Sequence, residues 1–319
     1  MRGRSLAAIT FFVALLSVQT ALAVEPSCGV SPIQLQILGS ATTEAADERA
    51  AAAALIWIDG KARVLVDAGP GSGARFMRAG AELADLDVVA LTHLRLERTV
   101  DLPSVLQPRA SVPRTRALSL FGPTGNKWMP STMSFIRTLF DSTRGAWRHL
   151  GELLSPLAHT PYKLQVQDIK PPAARLGVAR EAIDPTLTVF TNSRLRLRAA
   201  PVPYGEVPTL AWKIEAQGRA LVVSSDITVD NDAFRILIQD ADMLAIVHAR
   251  RDNVEPGEGA PGLSPTSIGR LAQAAKVRQV VLTPRAHATL GYEEETLEAI
   301  RRHYSGKVTF ANDMDCLTP

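Results

Sequence analysis

Residues 91–98 read Leu91-Thr92-His93-Leu94-Arg95-Leu96-Glu97-Arg98, directly after the apolar run Leu86-Asp87-Val88-Val89-Ala90. A strand ending in Thr-His delivers an imidazole to a sheet edge, where it can ligate a metal or move a proton. Glu97 adds a carboxylate able to do either. The guanidiniums of Arg95 and Arg98 do neither, because they have no acceptor lone pair and stay protonated. Their chemistry is recognition of carboxylate, phosphate or sulfate through paired N–H donors.

The elements around this loop follow from apolar periodicity and turn residues. Ile33 to Leu38 alternates as a strand. Leu55 to Ile58 and Arg63 to Val66 flank the hairpin turn Asp59-Gly60. Asp67-Ala68-Gly69-Pro70-Gly71 breaks the second of these strands, and Ala74 to Arg78 begins a helix. Asp87 to Leu91 is the short strand that carries His93, and Thr99 to Leu106 reads as a helix leading away from it. A strand at Leu118 to Phe121 ends in Gly122-Pro123-Thr124-Gly125, and a helix follows over Ser131 to Phe140. Residues 142–185 are less regular and read as an insertion or lid. The second half repeats the theme, with strands at Leu195 to Ala199, Leu210 to Ile214, Ala220 to Ser224, Met243 to Val247, Gln279 to Leu282 and Val308 to Phe310. Helices are expected over Asp232 to Ile238, from the cap Ser264 to Ala275, and over Glu293 to His303. Two strand-then-helix halves with no linker between them suit one sandwich domain over residues 24–319.

The first 23 residues stand apart. Arg2 and Arg4 precede an apolar run from Leu6 to Leu16, and Ala21-Leu22-Ala23 is a small-x-small cleavage site, together a secretory signal peptide. An N-terminal anchor is the alternative, although the run is short for a membrane span. No later stretch is apolar enough to cross. Without the two leader arginines the net charge falls from +3 to +1, which gives no footprint for nucleic acid. The chain has two cysteines, Cys28 and Cys316, at opposite ends of the mature sequence. In a periplasmic or secreted protein they favour a disulfide, worth roughly 4–5 kcal/mol by loop entropy; two free thiols are the alternative.

Several blocks, in order, resemble the metallo-β-lactamase superfamily. They are Leu38-Gly39-Ser40, Leu65-Val66-Asp67-Ala68-Gly69-Pro70-Gly71, Val89-Ala90-Leu91-Thr92-His93 with Val100-Asp101-Leu102-Pro103, and Phe121-Gly122-Pro123-Thr124-Gly125. Val207 to Ile214, Ser224-Ser225-Asp226-Ile227 and Ser264 through Thr283 complete the set. The Gly-Pro turn is similar to that of the ribonuclease Z and arylsulfatase-like branch. The resemblance implies an α+β fold, a four-layer αββα sandwich. It also implies a site for two zinc ions, which lower the pKa of a bound water. Here the ligand set departs from the family. His93 and Asp226 match, but Arg95, Glu97 and Arg98 stand where the loop's second His, Asp and third His belong. Tyr204 stands at the later His position and Pro284 at the final one. The motif is degenerate, and a dinuclear centre is not expected.

Within that fold, His93, Arg95, Glu97, Arg98, Tyr204, Asp226 and Arg285 line the cavity. His93 and Asp226 are remnant ligands, and His287 is a substitute ligand should a single zinc survive; otherwise no cofactor is expected. Arg95 and Arg98 require partners if buried, and Glu97, Asp226 and Asp67 are the nearest in register. Three readings follow: an arginine–carboxylate cluster replacing the metals in a non-hydrolytic scaffold, a binder of small anions, or a phosphodiester or sulfate ester hydrolase with a reduced metal site. Gly69-Pro70-Gly71-Ser72-Gly73 lacks dinucleotide-loop spacing, and no Gly-x-Ser-x-Gly elbow exists.

Overall fold

The strands bury apolar residues on both faces, and this decides the architecture. A computed structural model describes residues 28–42, 48–108, 114–157, 159, 162–170, 184–254 and 262–319. The leader expected over residues 1–23 lies outside the described residues. The first sheet holds β1 (Ile33–Gly39), β2 (Ala53–Ile58), β3 (Lys61–Val66), β4 (Val88–Ala90), β5 (Leu118–Pro123) and β6 (Leu164–Ile169). The second holds β7 (Leu187–Thr191), β8 (Arg196–Val202), β9 (Thr209–Ala216), β10 (Arg219–Val223), β11 (Met243–His248), β12 (Gln279–Arg285) and β13 (Lys307–Phe310), and the two-residue β14 (Cys316–Leu317) returns to the first. Their orders are β14-β1-β2-β3-β4-β5-β6 and β13-β12-β11-β10-β9-β8-β7.

Alternate residues of the central strands feed two environments. Ile37, Ile56, Val64, Val66 and Ala90 from the first sheet meet Leu197, Leu210, Trp212, Ile214 and Leu221 from the second in a shared inner core. The opposite face of the first sheet packs under α1 (Ser72–Arg78), α3 (Leu102–Leu106) and α4 (Thr132–Phe140), through Phe76, Leu102, Ile136 and Phe140. The outer face of the second sheet packs under α5 (Asp232–Ile238), α6 (Pro265–Ala274) and α7 (Glu293–Arg301), through Phe234, Leu237, Ile268 and Ile300. The result is the four-layer αββα sandwich expected from the sequence.

Three local features differ from the sequence reading. The helix expected over Thr99 to Leu106 is two short helices, α2 (Leu96–Thr99) and α3, with Pro103 in the first turn of the second. A proline without an N–H belongs at a helix start rather than its interior. Within the stretch read as an insertion, residues 164–169 form β6, a parallel edge strand on β5; its mixed polar pattern is that of a strand with one covered side. The strand β7 was likewise not anticipated. The disulfide Cys28–Cys316 is formed, with Cα atoms 5.7 Å apart, and it fastens β14 beside β1. Among the described residues no helix is long and apolar enough to cross a membrane.

Candidate functional site

The carboxyl ends of β3, β4, β8 and β10 converge, and each delivers one of the chemically distinctive residues. Asp67 follows β3 in a left-handed conformation, φ 60°, which turns its side chain back toward the next strand. Its Oδ1 accepts from the Thr92 backbone N–H at 2.7 Å, and its Oδ2 from the Thr92 hydroxyl at 2.8 Å. The Arg98 guanidinium donates to the same Oδ2 at 3.3 Å and, with its other terminal nitrogen, to Asp226 Oδ2 at 2.8 Å. Arg98 is 3 % exposed, and both carboxylates are buried. The loop holds this geometry through its backbone, with Ala68 N–H donating to Arg98 O at 2.7 Å and Asp101 N–H to Ala68 O at 2.9 Å. Gly69 is required there, since a Cβ at that position would collide with the Glu97 carbonyl.

His93 is fully buried beside this bridge. Its Nδ1 accepts the Arg95 backbone N–H at 3.2 Å, which puts the ring proton of the neutral imidazole on Nε2. Nε2 faces Asp226 Oδ2 at 3.6 Å, too long for a hydrogen bond. Tyr204, after β8, lays its ring 5.6 Å from the imidazole. Arg95, 43 % exposed in its side chain, lies at the mouth, where it donates to the Tyr204 hydroxyl at 3.1 Å and pairs with Glu97 at 3.0 Å. The two arginines therefore part company: Arg98 is locked between Asp67 and Asp226, and Arg95 reaches solvent.

The electrostatics follow from one guanidinium serving two carboxylates. Burial pushes Asp226 upward, but the Arg98 charge and then His93 override it and hold the carboxyl well below the usual carboxylate range. Asp67 makes the longer contact, and burial keeps it above its ordinary value despite Arg98, His93 and Thr92. Burial also raises the Tyr204 phenol, with the Asp226 charge in support.

The remaining expected residues lie elsewhere. Arg285 does not join the bridge; its guanidinium is taken by Glu293 at 2.8 Å and Asn312 at 2.9 Å, because β12 directs it toward the start of α7. His287 is exposed in the short 3-10 turn after β12. His248 is fully buried, with Nε2 3.2 Å from the Thr296 hydroxyl, and burial together with Arg285 pushes its pKa down to about 4. Thr92 was not singled out from the sequence, although a threonine ahead of the strand-end histidine is a ready clamp for the preceding strand's aspartate.

A dinuclear zinc centre does not fit these donors. Such a site needs four or more imidazole and carboxylate ligands with free lone pairs. Here the Asp67 and Asp226 oxygens face a fixed cation, Arg95 and Arg98 cannot ligate, and Pro284 has no donor side chain. Among the described residues no three His, Cys, Asp or Glu side chains are grouped to hold a metal, so His287 does not join His93 and Asp226. The space left beside Asp67, Arg98, Ser224 and Pro284 is about 20 Å³, room for about one water.

The chain is 26% identical over 294 residues to a ribonuclease Z of Mycolicibacterium paratuberculosis, an alignment covering 88% of this chain and 96% of that protein. The chain is a ribonuclease Z-like protein of the metallo-β-lactamase fold. The metallo-β-lactamase-fold protein YhfI from Bacillus subtilis superposes with a TM-score of 0.64 at 16% identity, over 90% of this chain and 100% of that one. The short form of human tRNase Z gives 0.64 at 18% identity, over 89% and 98%. No family model matches the chain. The blocks noted in the sequence around Asp67, His93 and Asp226 are the ones that build the site's strand ends.

Proposed function

We propose that this ribonuclease Z-like chain is a non-hydrolytic member of its family, exported to the periplasm or beyond, in which an arginine has taken over the charge role of the metals. The observation that carries this reading is the Arg98 guanidinium bridging Asp67 and Asp226 at 3.3 and 2.8 Å inside the former metal cavity. A fixed guanidinium neutralises the surviving carboxylates but cannot lower the pKa of a water or polarise a phosphoryl oxygen as a metal does. With about 20 Å³ left beside the Arg98 bridge, a small anion meets the protein at Arg95 and Tyr204, at the mouth. The chain then serves as a scaffolding or anion-binding module rather than a hydrolase. Export is supported by the leader-like N-terminus and by a disulfide between its two cysteines, a pairing at home in an oxidising compartment.

Turnover of bis(p-nitrophenyl) phosphate and of p-nitrophenyl sulfate, with zinc or manganese added, tests the reading. No hydrolysis above the buffer rate is expected. Hydrolysis abolished both by chelator and by His93→Ala would instead establish a metal-dependent phosphodiester or sulfate ester hydrolase with a reduced site.

A further inference from the structure

A second concave site lies at the opposite end of the second sheet. β8 runs from Arg196 toward Val202 beside Tyr204, and β10 from Arg219 toward Val223 ahead of Asp226. Seven residues of strand separate the two ends by roughly 20 Å. At the far end the β7–β8 turn, the β9–β10 turn and the loop between α5 and β11 line an open, mainly polar groove of about 490 Å³.

The groove's charges are sorted by wall. On its floor the ionic groups are already matched: Arg219 pairs with Asp242 at 2.8 Å, Asp242 also accepts the Ala220 backbone N–H at 2.8 Å, and Arg196 lies 3.6 Å from Glu215. The β7–β8 turn contributes Arg194 to the lining and the loop between α5 and β11 contributes Asp240, both exposed and neither in an ion pair among the described residues. The groove as a whole balances three arginines against three carboxylates, and the two unmatched members face it from different elements.

Both turns are fixed before any ligand arrives. The Asn192 side chain accepts from the Arg194 and Leu195 backbone N–H groups at 2.8 and 2.9 Å. Gln217, at the tip of the β9–β10 turn, donates to both Asp59 carboxylate oxygens at 2.8 and 2.9 Å, which ties it to the β2–β3 turn. Asp240 is anchored through its backbone N–H to Ala275 O at 2.8 Å. Walls that do not have to be ordered on binding leave more of the interaction energy as affinity.

We propose that this groove binds a zwitterionic small molecule of amino-acid or short-peptide type, with its carboxylate on Arg194 and its ammonium on Asp240. A simple anion gains Arg194 but faces Glu215 and Asp240, and a simple amine meets the converse. Only a ligand carrying both charges satisfies both walls. The site is separate from the Arg98 bridge, so its fate does not depend on whether the chain hydrolyses anything.

Calorimetric titration of the intact, disulfide-bonded protein with glycine, γ-aminobutyrate and diglycine reads the spacing between the walls, with butyrate and n-butylamine as single-charge controls. At least one zwitterion should bind saturably, and the controls should bind at least about tenfold more weakly, the worth of one charge-assisted hydrogen bond. Arg194→Gln and Asp240→Asn should each weaken the zwitterion by about tenfold. Both positions are exposed, so unchanged circular dichroism and melting temperature separate loss of binding from loss of fold. The swap Arg194→Asp with Asp240→Arg exchanges the walls and should recover binding. Absence of binding by every zwitterion, equal binding by butyrate or butylamine, or indifference to both single variants overturns the proposal.

Discussion

Replacing Arg98 with methionine removes the cation from a pocket that keeps two carboxylates. Methionine fills much of the same length, so the change isolates charge from packing. In the native chain Arg98 donates to Asp226 at 2.8 Å and Asp67 at 3.3 Å, and all three side chains are under a tenth exposed. Deleting one partner of such a buried pair costs about 3–5 kcal/mol, because the charge left behind has neither water nor a counter-ion. Among the described residues, the other charged or titratable side chain within ion-pair distance of Asp226 Oδ2 is His93, at 3.6 Å. The sign with pH is distinctive. In the native chain Asp226 is held below its ordinary value, so its contribution is present above the unfolded value of about 4 and is lost as pH falls through the folded one. Without Arg98 the burial that raises Asp226 is opposed only by the weaker pull of His93; the variant then loses stability as pH rises above about 4. The penalty should therefore be largest near neutral pH and shrink on acidification toward pH 4. Urea unfolding followed by the fluorescence of Trp212, fully buried in the inner core, measures it. Adding Asp67→Asn and Asp226→Asn to Arg98→Met should restore most of the loss. A penalty under about 1 kcal/mol, or one that does not change with pH, would refute the view that this guanidinium replaces metal charge.

Other perturbations separate the remaining supports. Cys28→Ser with Cys316→Ser opens a link spanning 288 residues and should cost up to about 5 kcal/mol, seen as a lower melting temperature that the native protein reproduces under reductant. His248 has its folded pKa depressed from 6.5 to about 4. Its contribution is thus present above pH 6.5 and lost as pH falls toward 4, a change of about 3 kcal/mol; NMR titration should find its ring protons still moving near pH 4. Arg114 is buried with its terminal nitrogens on the carbonyls of Leu83, Leu86 and Ala117 at 2.6–2.7 Å, so Arg114→Met should destabilise by about 3 kcal/mol or more in urea unfolding. Gly69→Ala, forced against the Glu97 carbonyl, should both destabilise and displace the loop that carries Arg98, which amide exchange of residues 94–100 reports.

The fold was legible because its strands sit at breaks that the sequence marks strongly. Asp59-Gly60 sets the β2–β3 hairpin, Ser264 caps α6 through its side chain, and the run ending at Leu91 has nothing polar to expose after Asp87. What escaped was decided by tertiary contact. β6 alternates only weakly because it is the edge strand of its sheet, with Leu164 and Ile169 alone buried, and α2 and α3 separate because Asp101 turns to accept the Gly73 N–H at 2.9 Å. At the site, the sequence named Arg98, Asp226 and Asp67 as a set, but not which arginine would be buried. That was fixed by helix geometry, since Arg98 lies on the inner side of α2 whereas Arg95 precedes its first turn. Arg285 was misplaced for a similar reason. Its position after Pro284 aligns it with the cavity, yet Glu293 and Asn312 offer partners that the linear sequence does not reveal.

The most direct test of the central claim is the metal content of protein purified without chelator or metal-affinity resin, measured by inductively coupled plasma mass spectrometry. With Arg98 holding Asp67 and Asp226, zinc, manganese and iron should each be far below one equivalent per chain and should not rise after dialysis against added zinc. One or two tightly held equivalents of a metal, lost together with His93 or Asp226 on substitution, would contradict the account.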